Sequence, residues 1–126
     1  MRIEHIGINI KAPKEMAQWY CENLGLQIVR DTGQAFFLAD ENSNSILEIY
    51  NNPPDAVPDY ASMDPLLFHI AFVSDDVKAD FERLKKAGAT PFGEIVEAGG
   101  DTIAILRDPW GLPIQLAKRK ETMLDM

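Results

Sequence analysis

The chain begins with an alternation of apolar and polar side chains. From Ile3 to Ile10, Ile6, Ile8 and Ile10 fall on one side and His5, Gly7 and Asn9 on the other, the two-residue period of a half-buried strand. Pro13 then opens a stretch in which Met16, Trp19, Tyr20 and Leu24 recur at helical spacing, and Gly25 stands where such a helix would be capped. Three more strand candidates follow, Leu26 to Asp31, Ala35 to Ala39 and Ser45 to Tyr50, separated by Thr32-Gly33 and by Asp40 to Asn44. This order predicts a βαβββ unit.

The stretch from Asn51 to Pro65 carries Pro53, Pro54, Pro58 and Pro65, too much proline for a helix or a central strand. Beyond it the first pattern returns. Leu66 to Ser74 reads as a strand, and Asp75 or Asp76 caps a helix whose Val77, Phe81 and Leu84 form the buried stripe before Gly88 ends it. Strands are expected near Pro91 to Glu97, Thr102 to Arg107 and Pro113 to Lys118, with Asp108-Pro109-Trp110-Gly111 as a turn and Gly99-Gly100 as another. The expected organisation is therefore one α+β domain over residues 1–126: repeat 1 at about 1–52, a linker at about 53–65, repeat 2 at about 66–118, and a tail at 119–126. Having no partner in repeat 1, the tail is expected to fray or to dock at an interface.

Composition narrows the function classes. A chain of 126 residues and 14.1 kDa matches one domain, and 46% hydrophobic with 25% charged residues matches a globular core. Twenty acidic against twelve basic side chains leave a formal charge of -8, which argues against nucleic acid and against an anionic membrane surface as partners. No apolar run approaches a membrane span and no cleavable leader is evident, so a cytoplasmic location is expected. Cys21 is the only cysteine, which rules out an intrachain disulfide and a cysteine-based zinc site.

The only two histidines hold matching places in the repeats, as His5-Ile6-Gly7 and His69-Ile70-Ala71, each with a small residue two positions on that leaves space on the same strand face. Each repeat also ends with one polar side chain inside an apolar strand, Glu48 in Leu47-Glu48-Ile49 and Gln115 in Ile114-Gln115-Leu116. Glu48 follows His5 by 43 residues and Gln115 follows His69 by 46, so the quartet repeats with the units. A lone polar side chain on a strand is usually a solvated face, but solvated positions have no reason to coincide across repeats. Two imidazoles, a carboxylate and an amide oxygen suit one divalent metal such as Zn²⁺, Ni²⁺, Co²⁺ or Mn²⁺, with positions left open for a ligand. Glu48 is the only carboxylate of the four and hence the candidate catalytic base. Trp19 and Tyr20 fall on the helical apolar stripe and read as core, whereas Phe36, Phe37, Tyr50 and Trp110 are candidates to line an apolar pocket, with at least half of the four expected in the core.

The pieces IEHIGINI, NLGL, ILEIYNN, LFHIAFV and DPWGLPIQL together resemble the vicinal oxygen chelate superfamily, which includes glyoxalase I, methylmalonyl-CoA epimerase, extradiol dioxygenases and bleomycin-resistance proteins. The resemblance covers nearly the whole chain. It implies two βαβββ units whose curved mixed sheets enclose a metal at His5, Glu48, His69 and Gln115, in a homodimer acting on a small molecule. It implies a metal-dependent lyase or isomerase of glyoxalase I type, in which the metal chelates neighbouring substrate oxygens and a proton moves on the adjacent carbon. Asn52, Asn9, Tyr50 and Trp110 are then substrate-binding candidates. Asn52 matches an asparagine near the thiol substrate of glyoxalase I, and Asn9 stands where that enzyme tends to carry an arginine for glutathione. The alternatives are a metal-free sequestering protein of the bleomycin-resistance kind and, within the same superfamily, an acyl-CoA epimerase or a dioxygenase.

Overall fold

A computed structural model describes residues 1–124; Asp125 and Met126, the end of the expected tail, lie outside the described residues. The chain divides into two compact units, the first over Met1–Pro58 and the second from Asp59 onward.

The first unit runs β1 (Ile6–Asn9), α1 (Pro13–Leu24), β2 (Gln27–Asp31), β3 (Ala35–Ala39), β4 (Ile46–Tyr50). Its sheet has the order β1-β4-β3-β2, with β1 parallel to β4 and the other pairs antiparallel. Pro13 sits at the start of α1, where its missing N–H costs nothing, and Gly25 ends it at φ 71° with its N–H on the Tyr20 carbonyl. Met16, Ala17, Trp19 and Tyr20 of the helix are buried, as are Ile8, Phe36, Leu38, Leu47 and Ile49 of the strands. Phe36 thus belongs to the core rather than to a pocket wall. The opposite sheet face carries Glu48 and its cross-strand neighbours Gly7 and Phe37.

The first strand is shorter than the alternation from Ile3 to Ile10 suggests, and Ile3 and Ile6 are 79% and 52% exposed. Its partner β4 begins at Ile46 in a register that sets Ile6 opposite Leu47, so nothing extends beyond His5 to pair with. On the far edge, β2 is exposed throughout and bulges between Ile28 and Arg30. A bulge on an edge strand interrupts the row of free backbone groups that would otherwise invite pairing.

The second unit opens with a short 3₁₀ turn (Tyr60–Ser62) and continues β5 (Ile70–Val73), α2 (Val77–Lys86), β6 (Thr90–Ala98), β7 (Asp101–Arg107), β8 (Pro113–Lys118). The strand order β5-β8-β7-β6, with β5 parallel to β8, repeats that of the first unit. Asp76 is the cap of α2, accepting from the Ala79 N–H at 3.1 Å, and Val77, Phe81 and Leu84 are the buried stripe. The α+β class and the repeated βαβββ order are therefore those read from the sequence.

Part of the segment expected as a linker packs with the second unit. Arg107 donates to the carbonyls of Tyr60 (2.8 Å) and Met63 (2.7 Å), and Tyr60 and Pro65 are buried. Leu66 to Phe68 are not strand either. The Asp64 side chain accepts from the Leu66 N–H and its carbonyl from the Leu67 N–H, a turn that leaves both leucines exposed and starts β5 only at Ile70. At the other end the tail is anchored where it begins, since Asp101 accepts from the Lys120 N–H at 2.9 Å and pairs with Arg119 at 3.0 Å. Among the described residues no helix is long and apolar enough to cross a membrane.

Candidate functional site

The four proposed ligands divide evenly between the units. In the first, the register places Gly7 opposite Glu48 on the face away from α1, and His5, two residues before Gly7, falls on that face too. His5 Nδ1 lies 2.9 Å from Glu4 Oε1; with the proton on Nδ1 it donates to that carboxylate oxygen, and the ring turns Nε2 toward Glu48. Nε2 stands 3.6 Å from Glu48 Oε1, and the ring meets Phe37 edge-on with centroids 5.7 Å apart. The His5–Glu48 separation is too long for a hydrogen bond. With a proton on Nε2 the two form an ion pair; without it, two lone-pair donors face each other.

In the second unit Gln115 lies opposite Ala71, and His69 precedes Ala71 by two residues, the same arrangement one repeat later. His69 Nδ1 is 2.8 Å from the Pro65 carbonyl. A carbonyl only accepts, so Nδ1 carries the proton and Nε2 keeps its lone pair. Both imidazoles are therefore fixed in the tautomer that frees Nε2, one by a side chain and one by main chain. Among the described residues no three His, Cys, Asp or Glu side chains gather into a metal-holding group; of the proposed ligands the structure brings together His5 with Glu48 in the first unit and sets Gln115 beside the strand that follows His69 in the second.

The donor set fits a divalent ion on two counts. Ligand histidines characteristically donate their second ring N–H to a carboxylate or a backbone carbonyl, which is what Glu4 and Pro65 provide. The 3.6 Å between His5 Nε2 and Glu48 Oε1 is less than twice a bond of about 2.1 Å, so one ion can reach both atoms.

Beside Glu48 the first unit opens a cleft of 780 Å³ whose lining includes Thr32, Gln34, Glu48, Tyr50, Asn51 and Asn52. Glu48 is the one carboxylate of that lining, and no lysine or arginine belongs to it among the described residues. Asn52 is among the residues that line the cleft. Asn9 acts on the same loop through its amide: Oδ1 accepts from the Asn52 N–H and Nδ2 donates to the Pro53 carbonyl, both at 2.8 Å. Trp110 stands apart from these residues in chain position, half-buried on the Asp108–Gly111 turn of the second unit. Thr32 and Gln34 were not site candidates; Thr32-Gly33 signals a turn, and nothing in sequence order says that this turn borders Glu48.

A family model matches residues 2–116, described as the Glyoxalase/Bleomycin resistance protein/Dioxygenase superfamily. The chain belongs to that superfamily. Solved structures share the fold at low identity. A glyoxalase family protein from Bacillus cereus is 18% identical with a TM-score of 0.79, each chain covered to 93%. The antibiotic-binding protein TnmS3 from a Streptomyces species is 22% identical with a TM-score of 0.70, over 92% of this chain and 96% of that one. The oxidase ChaP-H2 is 22% identical with a TM-score of 0.71, over 94% of both. No curated protein matches the sequence. The superfamily therefore holds enzymes and binding proteins on one scaffold, and a divalent metal is common among its members.

Proposed function

We infer that this protein is a metal-dependent lyase or isomerase acting on a small molecule with two neighbouring oxygens. The observation that carries the reading is the orientation of the two histidines: each has Nδ1 within hydrogen-bond distance of an oxygen, Glu4 Oε1 or the Pro65 carbonyl, and presents Nε2, and Glu48 lies beside one of them. His5, Glu48, His69 and Gln115 would hold one divalent ion, Zn²⁺, Ni²⁺, Co²⁺ or Mn²⁺. The ion, when bound, polarises substrate oxygens as a Lewis acid. Glu48 takes the proton from the adjacent carbon and returns it, the amide of Gln115 being unable to titrate. Asn52, Tyr50 and Trp110 contact substrate, and Asn9 does so directly or through the loop it holds.

Metal analysis of protein purified without a chelating column tests the ligand set. His5→Ala and His69→Ala should each lower occupancy strongly, and unchanged content in both would refute it. Glu48→Gln should keep much of the metal, because an amide oxygen still coordinates, yet lose turnover by about two to four orders of magnitude. Full turnover in that variant would move the base elsewhere. A homodimer completes the reading, by the resemblance, and a cytoplasmic location by the sequence; a lone 14.1 kDa species at micromolar concentration would count against the dimer.

The second reading is a metal-free binding protein, favoured by the antibiotic-binding TnmS3 among the fold's relatives. Absence of metal binding at physiological concentrations would select it.

A further inference from the structure

The two half-sites are built on one plan and differ at one point. Gly7 pairs with Glu48 as Ala71 pairs with Gln115, and Asn9 pairs with Tyr50 as Val73 pairs with Ala117. Tyr50 therefore corresponds to Ala117, and Gly7 to Ala71. Where the first unit carries an aromatic ring it has no Cβ beneath, and where the second carries the Cβ it has no ring.

The contact explains the exchange. A Cβ placed on Gly7 would stand 3.1 Å from Tyr50 Oη and 3.2 Å from Tyr50 Cε1, tighter than side chains normally tolerate. The phenol lies across the bare glycine and fills the space that the small residue leaves. The same point is 3.6 Å from Glu48 Oε1, so the hydroxyl and the carboxylate converge on it, with His5 Nε2 a further 3.6 Å beyond that carboxylate oxygen. Among the described residues nothing takes a hydrogen bond from the Tyr50 hydroxyl, and Tyr50 is among the residues that line the cleft. A ring needed only for packing would serve as well without its oxygen.

We propose that Gly7 and Tyr50 form a matched pair that delivers a free phenol hydroxyl to the first half-site, where it donates a hydrogen bond to one oxygen of the bound small molecule beside Glu48. The second half-site has no such donor. The pair makes the site polar in a directed sense: a ligand with two neighbouring oxygens is held with one particular oxygen at the phenol. Gly7 is the positioning residue, because a side chain there presses on the phenol at 3.1–3.2 Å and shifts the donor from this place. The proposal rests on the ligand-binding reading of this cleft.

The test uses acetohydroxamic acid, a small neutral molecule with two neighbouring oxygens, titrated calorimetrically into the full chain with and without Ni²⁺. Tyr50→Phe, which removes one oxygen and keeps the ring, should weaken its binding about three- to tenfold, the worth of one neutral hydrogen bond. Gly7→Ala should weaken it by a similar factor, and in Gly7→Ala/Tyr50→Phe the two losses should not add, since both act through the same hydroxyl. Should Gly7→Ala fail to fold, Tyr50→Phe decides alone. Equal affinity in wild type and Tyr50→Phe overturns the proposal, as does wild-type protein that binds no acetohydroxamic acid in either state, or fully additive losses in the double variant. Ni²⁺ titrated alone reads the metal-dependent function separately. Without Ni²⁺ binding that function falls, and the phenol is judged on the metal-free titration.

Discussion

Replacing Asp108 with alanine should destabilise the protein by about 2–4 kcal/mol. Asp108 is 3% exposed and sits in the turn between β7 and β8. One of its oxygens, Oδ1, accepts from both the Trp110 N–H at 2.8 Å and the Leu112 N–H at 2.9 Å. Leu112 is fully buried, so its N–H finds no water once the carboxylate is gone, a loss of about 1–3 kcal/mol. Trp110 is half-buried, and its N–H recovers part of its loss from solvent, adding about 1 kcal/mol. Asparagine keeps Oδ1 and both bonds in neutral form, and should cost about 1 kcal/mol. The same turn leads into β8 and Gln115, so its loss disturbs a proposed ligand as well as the fold. The assay is urea unfolding followed by circular dichroism and by tryptophan fluorescence, with unchanged slope confirming that only stability moved. An alanine variant within about 0.5 kcal/mol of the wild type, below the smallest of these costs, would refute the reasoning, and so would an asparagine variant as damaged as the alanine.

Two further outcomes follow from local geometry. Gly111 combines φ 89° with an approach in which an added Cβ would meet Ala61 Cβ at 2.7 Å and its backbone nitrogen at 2.9 Å, so Gly111→Ala should cost more than the about 1–2 kcal/mol of a left-handed alanine alone; a thermal midpoint equal to wild type would contradict this. The Asp101 carboxyl is held below the usual carboxylate range, first by the Lys120 N–H and then by Arg119. A carboxyl depressed in the folded state stabilises it above the ordinary pKa, and that contribution is lost as pH falls through the lowered value. Residues 119–120 should therefore loosen only in acid, below the usual range for aspartate, and in Asp101→Ala at any pH. Hydrogen exchange at the Lys120 amide, unchanged in Asp101→Ala at neutral pH, would show that this anchor is not what holds the tail.

What could be read from sequence was what repeats. The period of two around Ile8 and the helical spacing of Met16, Trp19 and Tyr20 reappear in the second unit, and both units fold in the expected order. Element ends were less legible. Ile3 fits the alternation but has no partner strand, and Leu66 fits an apolar run but follows an Asp64 turn that competes with it. The histidines and the Glu48 and Gln115 positions stood out because single polar residues recurred at matching intervals. The contact of Tyr50 with Gly7 did not, because it depends on the register between two strands distant in sequence. Asn9 shows the same limit: residue type suggests a ligand contact, while both ends of its amide are occupied by main chain at 52 and 53.

The two imidazoles differ in how exposed their orientation is to mutation. At His69 the partner is a main-chain oxygen, supplied by whatever residue occupies position 65, so substitution there does not delete the acceptor itself. At His5 the partner is the carboxylate of a solvent-facing glutamate, which a single codon change removes. The scaffold thus contains one half-site whose ring orientation rests on main chain and one whose orientation rests on a replaceable side chain. A population of variants would therefore be expected to tolerate change at position 65 without releasing the His69 ring, while change at position 4 frees the His5 ring to turn.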